Sequence, residues 1–235
     1  MGEAIVQPIP EIADPERYAL QEFKDSEFIE IISDSHFVVE MQYPLLNMEN
    51  AENKCFVRKE VYERLLEAAS KLPRGFRFKI LDAWRPFALQ HELYEKYAKD
   101  IIKEFELEGC TENQTKAVIR KFVSDPIPDR DVPPVHTTGG AVDLTIVNHN
   151  EIELEMGSAF DEFTDRTSTA YYENEKNEVI RDNRRMLFHV MTEVGFTNLP
   201  SEWWHFDYGD RFWGFYNNCP AIYRGAFTKE ELNGK

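Results

Sequence analysis

The sequence predicts an α+β fold, with a central and mostly antiparallel sheet packed against helices. Segments in which apolar residues alternate, typical of strands, are mixed with segments of helical periodicity in no regular βαβ order. The 235 residues are 42% apolar and 13% aromatic, which is enough to bury a sizeable core. No repeat or long linker divides the chain, so we expect a single domain over residues 1–235.

The first part of the chain is expected to contain extended structure and one amphipathic helix. Residues 28–44 read as extended. Residues 58–72 repeat apolar side chains at helical spacing. The apolar stripe of this helix contains Val61, Leu65, Ala68 and Leu72. Residues 75–84 then alternate apolar and basic side chains, which indicates a half-buried strand.

Two further helices are predicted before a proline-rich loop. Pro86 can start a helix that continues to about Leu107. Thr111 can cap a second helix, which must end near Pro126. Residues 124–136 contain four prolines and are predicted to form a loop.

The last part of the chain is predicted to contain two strands that flank a long helix. Residues 141–147 and 203–208 alternate in the manner of strands, and residues 177–196 form a helical segment that ends at Gly195.

Composition excludes several partners. The net charge of −16 disfavours nucleic acids and anionic membranes, because binding to either relies on clustered Lys and Arg. The three cysteines are widely spaced without a CxxC motif, so neither a disulfide framework nor a thiolate zinc site is expected. Residues 1–20 contain neither a basic signal-peptide start nor an apolar run that could span a membrane, so we expect a cytoplasmic protein.

Residues 136–146, HTTGGAVDLTI, bring an imidazole and a carboxylate close together. Alternation along the strand at 141–147 points Asp143 to the face opposite the core, which we expect to be open. His136 lies in the preceding loop, and the two glycines supply a turn that can fold its ring over that face. Histidine and aspartate are suitable zinc ligands, and a catalytic zinc site needs three protein ligands.

The segment SEWWHFDYGD, residues 201–210, supplies a third ligand and a base. Glu202 and His205 are three residues apart, so they would point to opposite faces of a regular strand. Glu202 is therefore expected in non-extended backbone before the strand, from where it could reach a water on a metal held by His205. Each of these residues alone has an ordinary interpretation as a packed or solvated side chain, and only their combination indicates a site.

One further motif suggests a metal site but lacks a ligand. The residues HELYE begin like the HExxH zinc-protease helix, but the fifth residue is Glu95 instead of histidine. We therefore assign His91, Glu92 and Glu95 to a helix surface.

The two segments HTTGGAVDLTI and EWWHFDYGD together resemble the zinc D-alanyl-D-alanine dipeptidases, whose signature is S-x-H-x-x-G-x-A-x-D followed by E-W-W-H. Three further segments match in the family's order, namely YPLLNMENAENKC, LDAWRP and EMGSAFDEFT. The resemblance covers residues 43–213 approximately. It implies a D-Ala-D-Ala-peptidase-like fold, which is similar to the amino-terminal signalling domain of hedgehog proteins.

The resemblance also implies the roles of individual residues. One zinc ion per chain would be held by His136, Asp143 and His205. Glu202 would act as the general base, and Arg85 would stabilise the oxyanion that forms when water attacks the peptide carbonyl.

Tyr43 and Asp161 would hold the free ammonium of a dipeptide substrate. Pro134 departs from the family pattern, since it stands where the family has a serine that helps to bind the substrate's carboxylate end. The preference for the C-terminal residue is therefore open, and a different or bulkier D-residue is an alternative.

From this resemblance we expect hydrolysis of D-Ala-D-Ala, or of similar small dipeptides, in cell-wall precursor turnover. Two alternatives stay open. The first is a D,D-carboxypeptidase or L,D-endopeptidase of the same fold, which Asp161 and Tyr43 argue against because a site closed around an ammonium excludes longer substrates. The second is a non-catalytic zinc-binding module, which would need neither Glu202 nor Arg85. The oligomeric state is not predicted.

Overall fold

A five-stranded mixed sheet forms the centre of the computed structural model, which describes residues 7–15 and 20–233. In spatial order its strands are β2 (Phe37–Val39), β4 (Arg77–Asp82), β5 (Ala141–Val147), β7 (His205–Asp207) and β6 (Thr197–Asn198). β2 pairs with β4 in parallel, and the other three pairs are antiparallel. The predicted α+β fold with a mostly antiparallel central sheet is therefore confirmed.

A smaller sheet departs from the prediction. β1 (Phe28–Ile31) pairs antiparallel with β3 (Cys55–Arg58), a strand whose sequence CFVR does not alternate apolar and polar residues. The segment predicted as extended over residues 28–44 is divided into β1, β2 and the helical turn α1 (Gln42–Leu45). Pro44 is compatible with that turn, because N–H groups in a first helical turn have no partner within the helix.

Four longer helices match the prediction within a few residues at most ends. They are α2 (Lys59–Lys71), α3 (Phe87–Glu104), α4 (Glu112–Ile119) and α5 (Glu178–Glu193). Thr111 caps α4 as predicted, and the side-chain oxygen of Gln114 accepts a hydrogen bond from the backbone N–H of Thr111. α4 ends earlier than expected, because the chain turns after Ile119 and packs Phe122 and Val123 against a cluster that includes α3. A short helix, α6 (Arg211–Asn217), was not predicted.

Two apolar clusters hold these elements together. The larger one contains inward residues of the central sheet, α2 and α5, including the whole predicted stripe of α2. The second cluster joins α3 and α4 to α1 and contains Tyr43, Met48, Leu89, Leu93, Tyr97, Ile101, Ile119 and Val123.

The face of β5 that carries Asp143 is also covered. All seven residues of the strand are buried, and Asp143 is only 2% exposed, so the prediction of an open face was wrong. Residues of α3 line the same cavity as Asp143 and contribute to this cover.

The described part of the chain contains no helix that is both long and apolar enough to cross a membrane. Residues 1–6 and 16–19 of the N-terminal segment considered above lie outside the described residues.

Candidate functional site

Three predicted ligands converge on one point in the structure. Asp143 of β5 and His205 of β7 are directly paired across neighbouring strands, and His136 approaches from a 3-10 turn, Val135–Thr138, just before β5. His205 Nδ1 lies 3.0 Å from Asp143 Oδ1 and 3.2 Å from His136 Nε2. His136 Nε2 lies 3.4 Å from Asp143 Oδ2.

These spacings are suitable for a tetrahedral metal site. With metal–ligand bonds of about 2.0 Å, ligand atoms at tetrahedral positions are roughly 3.3 Å apart. All three side chains are buried, and their ligand atoms lie within 4.8 Å of one another. The residues present can therefore hold a metal ion.

The far side of each imidazole ring has its own partner. His136 Nδ1 lies 2.8 Å from the carbonyl oxygen of Ala83, and His205 Nε2 lies 2.8 Å from Asp207 Oδ1. A ring N–H that donates to such an acceptor leaves the opposite nitrogen free for a metal. Asp207 was not predicted, although its alternation with His205 places both on one face of β7.

The turn between His136 and β5 depends on glycine. Gly139 has a φ of +72°, and a Cβ there would lie 2.3 Å from a ring carbon of Phe28. Pro134, which precedes the turn, accepts hydrogen bonds from both the N–H and the hydroxyl of Thr137 through its carbonyl oxygen. These contacts give Pro134 a role in the backbone that presents His136.

Glu202 lies in the turn before β7, and its Oε2 is 3.8 Å from His205 Nδ1. Regular β-structure begins only after Glu202, as predicted, but it begins at His205 instead of at 203. The reason is that the N–H of His205 donates to the Glu202 carbonyl, which closes a turn around Trp203 and Trp204. Desolvation, aided by the nearby Asp143 carboxylate, raises the pKa of Glu202 to about 8.

Arg85 is held beside the ligand atoms by a network of hydrogen bonds. Its Nε and Nη2 donate to Asp82 Oδ2 at 3.0 and 2.8 Å, and its Nη1 donates to Gln90 Oε1 at 2.7 Å. Nη2 also lies 3.9 Å from Asp143 Oδ2. Sequence reasoning assigned no role to Asp82 or Gln90.

Asp161 accepts hydrogen bonds from two tyrosines. Tyr43 and Tyr97 donate to its Oδ2 at 2.9 and 2.8 Å. Arg85 Nη2 donates to the Tyr43 hydroxyl at 3.1 Å, which links this group to the rest of the site. Desolvation is the main cause that raises the pKa of Asp161 to about 6, and Asp143 adds to it. Tyr97 was missed, because nothing in the sequence relates it to a residue 64 positions away.

A small cavity of about 40 Å³ is lined by every predicted site residue. Leu93 of the motif HELYE lines this cavity, but the three polar residues His91, Glu92 and Glu95 lie outside it. His91 and Glu95 are exposed on α3, and Glu92 accepts the backbone N–H groups of Glu49 and Asn50. The assignment of these side chains to a helix surface is confirmed, with Glu92 also fixing the loop after α1.

Comparison with known proteins gives a consistent group of relatives. The peptidase M15 family model, described as D-ala-D-ala dipeptidase, matches residues 45–221. A D-alanyl-D-alanine dipeptidase of Escherichia coli strain K12 is 30% identical over 155 residues, which are 66% of this chain and 67% of that protein. A D-alanyl-D-alanine dipeptidase of Synechocystis sp. is 29% identical over 153 residues. This match covers 59% of this chain and only 62% of that relative.

Two solved structures are also similar in part. VanYB in complex with D-Alanine-D-Alanine has a TM-score of 0.41 and 17% identity, covering 80% of this chain and 88% of the other. The D,D-pentapeptidase VanY from a VanB-type resistance cassette, in complex with Zn(II), has a TM-score of 0.41 and 15% identity, covering 93% and 99%.

Proposed function

Because the chain belongs to the peptidase M15 family of D-Ala-D-Ala dipeptidases, we propose that it hydrolyses D-alanyl-D-alanine and similar dipeptides with a free N-terminus. One observation carries the proposal: Glu202 and Arg85 each lie within 4 Å of an atom of the three-ligand cluster. Zinc, one ion per chain, is the metal we propose for His136, Asp143 and His205. The proposed role in the cell is turnover of cell-wall precursor dipeptide.

The metal and the side chains around it would perform different parts of the reaction. Zinc, when bound, would supply Lewis acidity for the scissile carbonyl and for the attacking water. Glu202 accepts a proton from that water and passes it to the leaving amine. Burial raises the pKa of Glu202 to about 8, so the carboxyl group holds the accepted proton until the leaving amine takes it.

Arg85 stabilises the negative charge that develops on the carbonyl oxygen. Its guanidinium is already oriented by Asp82 and Gln90, so little reorganisation is needed when the charge appears. The carboxylate of Asp161, which Tyr43 links to Arg85, pairs with the substrate's ammonium. Tyr43 and Tyr97 orient that carboxylate, which explains a requirement for a free N-terminus.

The substrate assignment is tested by comparing D-Ala-D-Ala with its N-acetylated form, each with added zinc and with a chelator. We expect zinc-dependent hydrolysis of the free dipeptide only. Equal rates on both substrates would contradict the assignment of Asp161, and hydrolysis that survives metal removal would contradict the metal.

The role of Glu202 is tested by Glu202→Ala, with Glu95→Ala at the exposed surface of α3 as the matched control. We expect Glu202→Ala to retain zinc and lose turnover, while Glu95→Ala keeps both. Unchanged turnover in Glu202→Ala would remove this residue from the mechanism.

A further inference from the structure

The catalytic cavity opens into a larger groove. The cavity has a volume of about 40 Å³, room for a few water molecules, and the groove has about 660 Å³. Asp161 and the two tyrosines around it line the cavity but not the groove. Six residues line both spaces and form the junction between them: Phe122, Val123, Ser124, Leu199, Glu202 and Phe212. A dipeptide whose ammonium lies at Asp161 therefore extends its second residue toward this junction.

The junction is an unfavourable place for a carboxylate. Four of its six residues are apolar, Ser124 is neutral, and the one charged residue among them is the acid Glu202. A carboxylate at this position loses water to apolar neighbours and gains no counter-ion, which costs free energy. A neutral carboxamide in the same place avoids both the loss of hydration of a full charge and the repulsion from Glu202.

The catalytic cavity offers no cation for a carboxylate either. Among the described residues that line it, Arg85 is the single Lys or Arg. A guanidinium has five N–H donors, and four of those of Arg85 are used by Asp82, Gln90 and Tyr43. The remaining N–H, on Nη1, is available for the oxyanion of the proposed mechanism, so Arg85 has no donor left for the end of the substrate.

The charge of the groove beyond the junction also disfavours an anion. Four acidic residues line it against two basic ones, namely Glu11, Asp14, Asp165 and Glu202 against Arg120 and Lys121. Arg120 already pairs with Asp125 at 2.7 Å. The side of the site that receives the leaving residue thus favours a neutral end group over a carboxylate.

Resting on the proposed dipeptide hydrolysis, we propose that the enzyme also hydrolyses dipeptides whose C-terminal carboxyl group is amidated, and that it prefers them to the free acids. Water adds to the carbonyl carbon of the first residue, the C–N bond to the second residue breaks, and the leaving amine takes the proton from Glu202. D-Ala-D-Ala-NH₂ then gives D-alanine and D-alaninamide. The free ammonium pairs with Asp161 as before, and the carboxamide lies at the junction.

The test compares D-Ala-D-Ala-NH₂ with D-Ala-D-Ala on the zinc-loaded full chain at pH 7, with products identified by mass spectrometry. We expect kcat/KM to be about three- to tenfold higher for the amide, the effect of removing one like charge from a partly exposed site. A kcat/KM for the amide equal to or below that for the acid would overturn the inference and leave the proposed function standing, as would release of ammonia instead of D-alaninamide. Hydrolysis of the amide alone would support the inference and contradict the proposed D-Ala-D-Ala substrate, and hydrolysis of neither would contradict both.

Two substitutions at Ser124 test the position of the leaving end. Ser124→Lys supplies the cation that the junction lacks, and Ser124→Gln adds a side chain of similar length without charge. We expect Ser124→Lys to lower the ratio of kcat/KM for the amide over the acid by roughly two- to fivefold, the range of a partly exposed ion pair, and Ser124→Gln to keep the ratio. Because the readout is a ratio, a general loss of activity does not affect it.

Ser70→Lys makes the same substitution at an exposed position near the end of α2, outside both spaces, and should leave the ratio unchanged. Equal ratios in Ser124→Lys and Ser124→Gln would overturn the placement of the substrate's end group at the junction.

Discussion

His205 Nε2 lies 2.8 Å from Asp207 Oδ1, two residues further along the same strand. Because Asp207 holds Nε2, the ring presents Nδ1 to Asp143 and His136. His136 shows the reverse arrangement, since its Nδ1 contacts Ala83 and its Nε2 faces the other ligand atoms. The two imidazoles thus offer different nitrogens to the proposed metal, and each orientation is fixed by a contact outside the ligand set.

Asp207→Asn is therefore expected to weaken metal binding without removing a ligand. Replacing the carboxylate makes the His205 ring a poorer donor and loosens its orientation, and such changes typically cost 10- to 100-fold in metal affinity. Competition with a chromophoric chelator measures the zinc affinity. Glu202→Gln is the matched control, because Glu202 is not a proposed ligand, and equal affinities in the two variants would contradict the role of Asp207.

Arg85→Lys is expected to separate transition-state stabilisation from binding. The variant keeps a positive charge but loses the planar fork that Asp82 and Gln90 hold in place. Loss of an oxyanion donor typically lowers kcat by about 10²- to 10³-fold, and we expect a smaller change in KM. Steady-state kinetics on D-Ala-D-Ala measures both constants. A raised KM with unchanged kcat would assign Arg85 to substrate binding alone.

The KM for D-Ala-D-Ala is expected to rise as the pH falls through about 6. Asp161 carries a raised pKa of about 6, so it is ionised above that pH and protonated below it. Only the ionised form attracts the substrate's ammonium, which stays protonated throughout this range. Kinetics between pH 5 and 7 test this, and Asp161→Asn should show a high KM without the acidic rise. The same rise in Asp161→Asn would exclude Asp161 as its source.

Tyr97→Phe is expected to move that pH dependence upward. The Tyr97 hydroxyl donates to Asp161 at 2.8 Å, which stabilises the carboxylate and lowers its pKa. Loss of a hydrogen bond worth about 1 kcal/mol should raise the midpoint by roughly 0.5 to 1 pH unit. Tyr94→Phe, on the same helix but outside the cavity, should leave the midpoint unchanged. A midpoint that stays fixed in Tyr97→Phe would contradict the contact.

The sequence predicted the strands and helices of the site well, because strong periodic patterns specify them. Asp143 and His205 belong to segments that were recognised as strands from their alternating side chains. The spacing of Glu202 from His205 correctly predicted irregular backbone before β7. The open face predicted for Asp143 was wrong, since periodicity within one strand carries no information about what covers it.

The contacts missed by sequence analysis are long-range or depend on small irregular segments. Tyr97 of α3 contacts Asp161, which lies in a loop 64 residues later in the chain. No local sequence pattern predicts this contact. The sequence of β3, CFVR, has three apolar residues in a row, and α1 is a single turn, so neither shows a periodic pattern.

Arg184 of α5 supports the loop that carries Asp161, although it lies outside the catalytic cavity. It is 2% exposed, and its guanidinium donates to the carbonyl oxygens of Met156, Ser168 and Arg166 at 2.6 to 2.7 Å. Met156 precedes Asp161 in the chain, and Arg166 and Ser168 follow it. Arg184 therefore ties both ends of the loop to one helix.

Arg184→Met should consequently affect both stability and substrate binding. It leaves the buried carbonyl of Met156 and the partly buried carbonyls of Ser168 and Arg166 without this donor, and at about 1–3 kcal/mol for a buried unsatisfied group we expect the free energy of unfolding to fall by about 3 kcal/mol. KM for D-Ala-D-Ala should rise while zinc affinity stays the same, because the loop carries Asp161 but no proposed ligand. Urea denaturation and kinetics measure the two effects.

Two further variants serve as controls. Arg184→Lys should recover part of the lost stability and of the lost substrate binding. Arg181 pairs with Asp182 at the surface, so Arg181→Met should change the free energy of unfolding by less than about 0.5 kcal/mol. Loss of stability with an unchanged KM would show that the position of Asp161 does not depend on Arg184.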